Sequence, residues 1–163
     1  MRLNFINKPL SQHTDECIVI SNNESLVNDG THNYIYYLGS DELQEEIVQI
    51  PKNENGNRLN ETESILTFGH NQQYQKIIHT LPPSFNDNKG VDCEGLEKCF
   101  DSIFNLVREN NIKSLTITPF GAGYYGFSYK KYYQICLSRA LDELDKNNDL
   151  RITLLVDDSI ASQ

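Results

Sequence analysis

Three glycines and four aromatic residues are packed into ten positions of the chain, TPFGAGYYGF at 118–127. The stretch follows an alternating apolar run, IKSLTITPF, and precedes a helical pattern, so it joins the carboxyl end of a strand to the start of a helix. Ligands of α/β sheets bind at that edge. A glycine-rich loop there can turn its backbone N–H groups inward, and the next helix adds a partial positive charge. Gly121, Gly123 and Gly126 place no side chain in the way of an approaching phosphate. The chemistry on offer is an anion cradle. The competing reading is a tight strand-to-helix turn whose glycines serve packing, with Phe120 and Phe127 in the core. No Gly-Lys-Ser/Thr follows, so this is not a Walker loop, and the spacing differs from the dinucleotide fingerprint.

A cradle of this kind matters because the chain carries a net charge of −9. An acidic surface repels phosphate backbones, which disfavours nucleic acid as a partner and requires any bound anion to be held locally. The four cysteines, Cys17, Cys93, Cys99 and Cys136, form no close pair, and the four histidines are scattered, so reduced thiols and no metal site or cofactor are expected. No run of about 18 apolar residues exists, so no membrane span is expected. The N-terminus lacks the apolar run of a signal peptide, so the expected location is the cytoplasm, with the nucleus left open.

The elements that must position the loop follow from hydrophobic period. LNFIN (3–7), ECIVIS (16–21), SILTFG (64–69), YQKIIHTL (74–81), IKSLTITPF and RITLLV (151–156) read as strands. Leu96, Cys99, Phe100, Ile103, Phe104 and Val107 recur at helical spacing, as do Tyr133, Cys136, Leu137, Ala140, Leu141 and Leu144. Ser40 is expected to cap a helix over SDELQEEIVQI, with Leu43, Ile47 and Val48 on one face. PKNENGNRLNETE (51–63) and PPSFNDNKGVD (82–92) read as loops. Strands alternating with amphipathic helices, without a linker or repeat, imply one domain over 1–163 with helices on both faces of a partly parallel sheet.

The segment SLTITPFGAGYYGFSYKKYYQICLSRALDEL resembles the macro domain, in which a strand leads into a Pro-x-x-Gly-x-Gly-x-x-Gly-Phe loop and a long helix. DECIVISNNESL is similar to that family's Ala-Ile-Val-Asn-Ala-Ala-Asn-x-x-Leu strand and turn, and LTFGHNQQYQKIIHTLPP to its Ile-His-Ala-Val-Gly-Pro segment, which places His79. LEKCFDSIFNLVRENNIKSLTI and ITLLVDD resemble its next helix and strand and its closing strand. The resemblance implies a three-layer α/β/α sandwich with a mixed central sheet, and a cleft for ADP-ribose, free or attached to proteins. It implies that Ala122, Gly123, Tyr124 and Tyr125 donate backbone N–H groups to the diphosphate, within a loop that runs from Gly121 to Gly126 and Phe127. Tyr125 would also flank the distal ribose, Asn23 would contact it, and Gly30 and Thr31 would approach from the second loop.

The chain departs from that pattern in four places. The second loop, NDG, keeps only Gly30 of its glycines. One hydrolytic branch has an aspartate just after this loop and a histidine one turn later; His32 and Tyr36 stand there here, and tyrosine, with a reference pKa of about 10, is a poor base at neutral pH. The aspartate that accepts from the adenine amine is replaced by INKPLS, where Lys8 or Pro9 falls and Asn7 offers an acceptor. Val156 replaces the aromatic that stacks on adenine. Three functions stay open: a binding module for ADP-ribose or ADP-ribosylated protein, an ADP-ribosyl hydrolase, and an interaction domain without a nucleotide. The hydrolase would follow the family's positioned-water route, using Asn23, Gly30 and a ribose strained against Tyr125.

Overall fold

The computed structural model describes residues 2–27, 33–83, 92–120 and 128–156. Its element order is β1 (Leu3–Ile6), a 3-10 turn (Leu10–Gln12), β2 (Cys17–Ser21), α1 (Asn33–Val48), β3 (Ser64–Phe68), β4 (Lys76–Thr80), α2 (Cys93–Glu109), β5 (Ser114–Ile117), α3 (Tyr129–Lys146) and β6 (Arg151–Leu155). The strands form one six-stranded sheet in the order β1-β6-β5-β2-β4-β3. Every pairing is parallel except that of β3 with β4. The expected mixed sheet is therefore present, its single antiparallel strand at one edge.

Period-two alternation on β2 sorts the core into two halves. Cys17 and Val19 join a cluster with Leu96, Phe100 and Ile103 of α2 and with Cys136 and Ala140 of α3. Ile18 and Ile20 point the other way, into a cluster with Ile35, Leu43 and Ile47 of α1. The sheet thus lies between α1 on one face and α2 with α3 on the other, a three-layer sandwich. On α1, close approach is possible because residue 39 is glycine: a Cβ there would lie 2.6 Å from the Cβ of Leu43 and 3.1 Å from the carbonyl oxygen of Gly69.

Two expectations about the helices are corrected. A helical run does follow Ser40, as expected, but the Ser40 hydroxyl does not cap it. Ser40 sits inside α1 at a break, with φ 52° and ψ −155°, and its hydroxyl donates back to the Tyr37 carbonyl at 3.2 Å. On α3 the buried face is Tyr132, Ile135, Cys136, Ala140, Glu143 and Leu144, whereas Tyr133 and Leu137 are half-buried and Leu141 is 52% exposed. The face turns because α3 meets α2 through charged pairs. The Arg108 guanidinium donates to the buried carboxylate of Glu143, and Arg139 binds Glu97 at 3.0 Å and Asp101 at 3.3 Å.

The thiols are free, three of them buried and Cys93 half-buried. Burial pushes the Cys99 and Cys136 thiols up to about 12, and Cys17 still higher. The attacking species in disulfide exchange is the thiolate, so these three are inert near neutral pH. Ellman's reagent at pH 8 is expected to release one equivalent from the native protein, at Cys93, and four after unfolding in urea. More than one rapid equivalent would contradict the described burial. Because these folded-state values are raised, their contribution to stability is complete below the ordinary thiol value of 9.0 and is lost as pH rises above it.

Candidate functional site

In an open α/β sheet a crevice forms where neighbouring strands send their helices to opposite faces. Here those strands are β2 and β5. They pair in parallel, Val19 beside Ile117, yet β2 leads into α1 on one face and β5 into α3 on the other. The crevice therefore opens between Asn22–Asn23 at the end of β2 and Thr118–Phe120 at the end of β5.

The β5 lip is firmly held. Thr118 binds the Val19 carbonyl twice, through its N–H at 3.2 Å and its hydroxyl at 2.6 Å. Phe120, 3% exposed, packs its ring 5.1 Å from Phe100 and 5.4 Å from Tyr132. Tyr132 comes from the first turn of α3, and its hydroxyl donates to the Thr118 carbonyl at 3.3 Å. Its own ionisation is pushed well up by burial. At the far end of the glycine segment, Ser128 caps α3 by accepting from the Lys131 N–H at 3.1 Å. Phe120 and Ser128 therefore fix both ends of the segment between them, and the reading of Phe120 as core is correct. Gly121, Ala122, Gly123, Tyr124, Tyr125, Gly126 and Phe127 themselves lie outside the described residues, as do Gly30, Thr31 and His32.

The β2 lip is built by two asparagines. Asn23 holds the turn that follows the strand: its Oδ1 accepts from the N–H groups of Ser25 at 3.1 Å and Val27 at 3.2 Å, and its Nδ2 donates to the Val27 carbonyl at 2.8 Å. Arg58 braces the same turn by donating to the Ser25 carbonyl at 3.0 Å. Asn22, on the face that carries Ile18 and Ile20, continues inward beneath α1. Its Oδ1 accepts from the Asn23 N–H at 2.9 Å. Its Nδ2 donates to the Tyr36 hydroxyl at 2.7 Å and lies 3.0 Å from Nδ1 of His79. His79 Nε2 is 2.9 Å from the Thr67 hydroxyl.

Sequence reasoning missed Asn22 and Thr67 as site residues. The signal was available for Asn22, because alternation along 18, 20 and 22 places it on the α1 side. Thr67 gave none, since its partner lies on another strand. Asn7 and Val156, considered for the adenine end, stand at the carboxyl ends of the adjacent strands β1 and β6, and the Val156 N–H donates to the Ile6 carbonyl at 2.7 Å. Among the described residues, no group of three His, Cys, Asp or Glu side chains could hold a metal ion.

The family model described as Macro domain matches residues 20–136, from the end of β2 into α3. The chain belongs to the macro domain family. O-acetyl-ADP-ribose deacetylase 1 of Pantoea vagans is 24% identical over 156 residues, which are 95% of this chain and 90% of that protein. Human ADP-ribose glycohydrolase MACROD2 is 32% identical over 84 residues, which are 51% of this chain and 20% of that protein. The chain thus spans about a fifth of that relative's length. Among solved structures, the Oceanobacillus iheyensis macrodomain with ADP superposes with a TM-score of 0.83 at 26% identity, covering 98% of this chain and 86% of that one. As a macro domain, the chain has its switch-point crevice where the glycine segment begins.

Proposed function

We propose that this macro domain binds ADP-ribose, free or attached to protein, in the crevice between β2 and β5, and that it hydrolyses the bond joining ADP-ribose to a carboxylate. The observation that carries the reading is the crevice itself, with Asn23 on one lip and, on the other, a glycine segment anchored at both ends. A diphosphate needs several N–H donors converging on it, and a chain of net charge −9 must supply them from the backbone. The ligands and substrates named for the relatives, ADP and esters or glycosides of ADP-ribose, support the same class of molecule.

The bound ribose would lie against Asn23, with Gly30 and Thr31 on one side and Tyr125 on the other. Water then replaces the carboxylate on the sugar, and the products are ADP-ribose, a free carboxylate and a proton. Neither His32 nor Tyr36 is required by this route, in which positioning does most of the work.

A protein labelled with ADP-ribose on aspartate or glutamate tests the hydrolytic step. Wild type is expected to release the label, and Asn23→Ala to release it at least about tenfold more slowly, because the turn that the Asn23 side chain holds is lost together with its proposed contact to the ribose. Equal rates would remove Asn23 from the site. Retention of the label by wild type, with ADP-ribose still bound, would leave a binding module.

A further inference from the structure

The group at the end of β2 has a hydrogen-bond arithmetic that fixes its orientation. The Asn23 N–H can only donate, so the amide atom of Asn22 that faces it at 2.9 Å is the oxygen. The two hydrogens of Asn22 Nδ2 then point at the Tyr36 hydroxyl and at His79 Nδ1. With Nδ1 accepting, the neutral ring carries its proton on Nε2 and donates it to the Thr67 hydroxyl. His79 is fully buried, Thr67 is 1% exposed and Asn22 is 8% exposed, so water cannot replace these partners cheaply. The chain of contacts joins β3, β4, the end of β2 and the first turn of α1. The Asn22 N–H also donates to the Thr80 carbonyl at 2.9 Å, which fixes the backbone from which the side chain projects.

We infer that Asn22 and Tyr36, backed by His79 and Thr67, form a positioning unit that ties the amino end of α1 to the carboxyl end of β2 and so sets the backbone at Asn23. Tyr36 acts here as a hydrogen-bond acceptor held by an amide, not as a base. The two ends it joins flank residues 28–32, so the unit sets the spacing across one side of the crevice. Its effect on ligand affinity rests on the ADP-ribose reading above; its effect on the ligand-free protein does not.

The test compares wild type, Asn22→Ala and Tyr36→Phe. Without ligand, the Asn23 amide is expected to exchange its hydrogen about tenfold or more faster in Asn22→Ala, because its acceptor is gone, and measurably faster in Tyr36→Phe. Nitrogen-15 spectra should show His79 protonated on Nε2 in wild type and a mixture of tautomers in Asn22→Ala. With ADP-ribose, calorimetry should give affinity weaker by about tenfold in Asn22→Ala and by a smaller factor in Tyr36→Phe. Wild-type exchange at Asn23 in every variant that folds overturns the positioning role; where Asn22→Ala is too unstable to measure, Tyr36→Phe alone decides it. Absence of ADP-ribose binding by wild type overturns the functional reading instead, and exchange and tautomer then decide the positioning role by themselves.

Discussion

ADP-ribose at a hundredfold excess over its dissociation constant is expected to stabilise the protein by about 2.7 kcal/mol. For a chain of this length that raises Tm by roughly 5–11 °C. The substitution Gly123→Glu is expected to abolish the shift while leaving the unliganded Tm close to wild type. Position 123 lies between the two anchored ends of the glycine segment, where the proposed cradle would have to come within contact distance of the diphosphate. In that reading a side chain would fill the approach, and a carboxylate would add repulsion. Two like charges about 4 Å apart in a partly screened site oppose binding by about 4 kcal/mol, roughly a thousandfold in affinity. A scan with ADP-ribose, ADP, NAD and ribose phosphate divides the site further. ADP keeps the diphosphate and ribose phosphate does not, so ADP should give the larger shift if the cradle carries binding, whatever Asn7 and Val156 offer to adenine. No shift at millimolar ADP-ribose would sink the functional reading and favour an interaction module. A full shift in Gly123→Glu would sink the cradle alone.

How far the sequence reveals this molecule depends on whether each feature is local. The run CIVI reads as a buried strand because all its residues are apolar, and the structure buries all four on two faces. Helix α2 is legible for the same reason: Leu96 to Val107 keep one stripe, and that stripe is the buried one. Helix α3 is less so. Leu141 looks like core by type, yet Glu143 takes the inward position, because Arg108 sits 35 residues away on α2 to receive it. Nothing near Glu143 in the chain announces that partner. Ser40 is legible only in part: a helical run does follow it, but its backbone lies in a region that favours glycine and its hydroxyl turns back to the Tyr37 carbonyl instead of capping. The site divides along the same line. The glycine segment is visible as a string, whereas Asn22, Tyr36, Thr67 and His79 become a group only when β2, β3, β4 and α1 are brought together. The residues assigned to ligand contact at 30–31 and 121–127 lie outside the described residues, so the structure speaks for the frame around them.

That frame has a weak point that can be struck without touching the crevice. Phe100→Ala is expected to lower stability by about 3–5 kcal/mol, the usual range for deleting a buried phenyl group. Phe100 is fully buried, and its ring lies against both Phe120 and Tyr132, centroids 5.1 and 6.1 Å away. Such aromatic pairs contribute about 0.5–1.5 kcal/mol beyond the area they bury. Against a typical total of about 5–15 kcal/mol, the loss should appear in urea unfolding as a large fall in midpoint at unchanged slope. The functional consequence separates this position from other core sites. Phe120 enters the glycine segment and Tyr132 receives it on α3, so a cavity at 100 loosens both anchors. Ile103→Ala provides the comparison: it empties the same core, about 2–5 kcal/mol, at a residue one turn further along α2. Phe100→Ala should weaken ADP-ribose binding under conditions where both variants are still folded, and Ile103→Ala should not. A loss below about 1.5 kcal/mol at Phe100 would mean that the aromatic cluster is not closely packed. Equal affinity in the two variants would mean that ligand binding does not depend on these anchors.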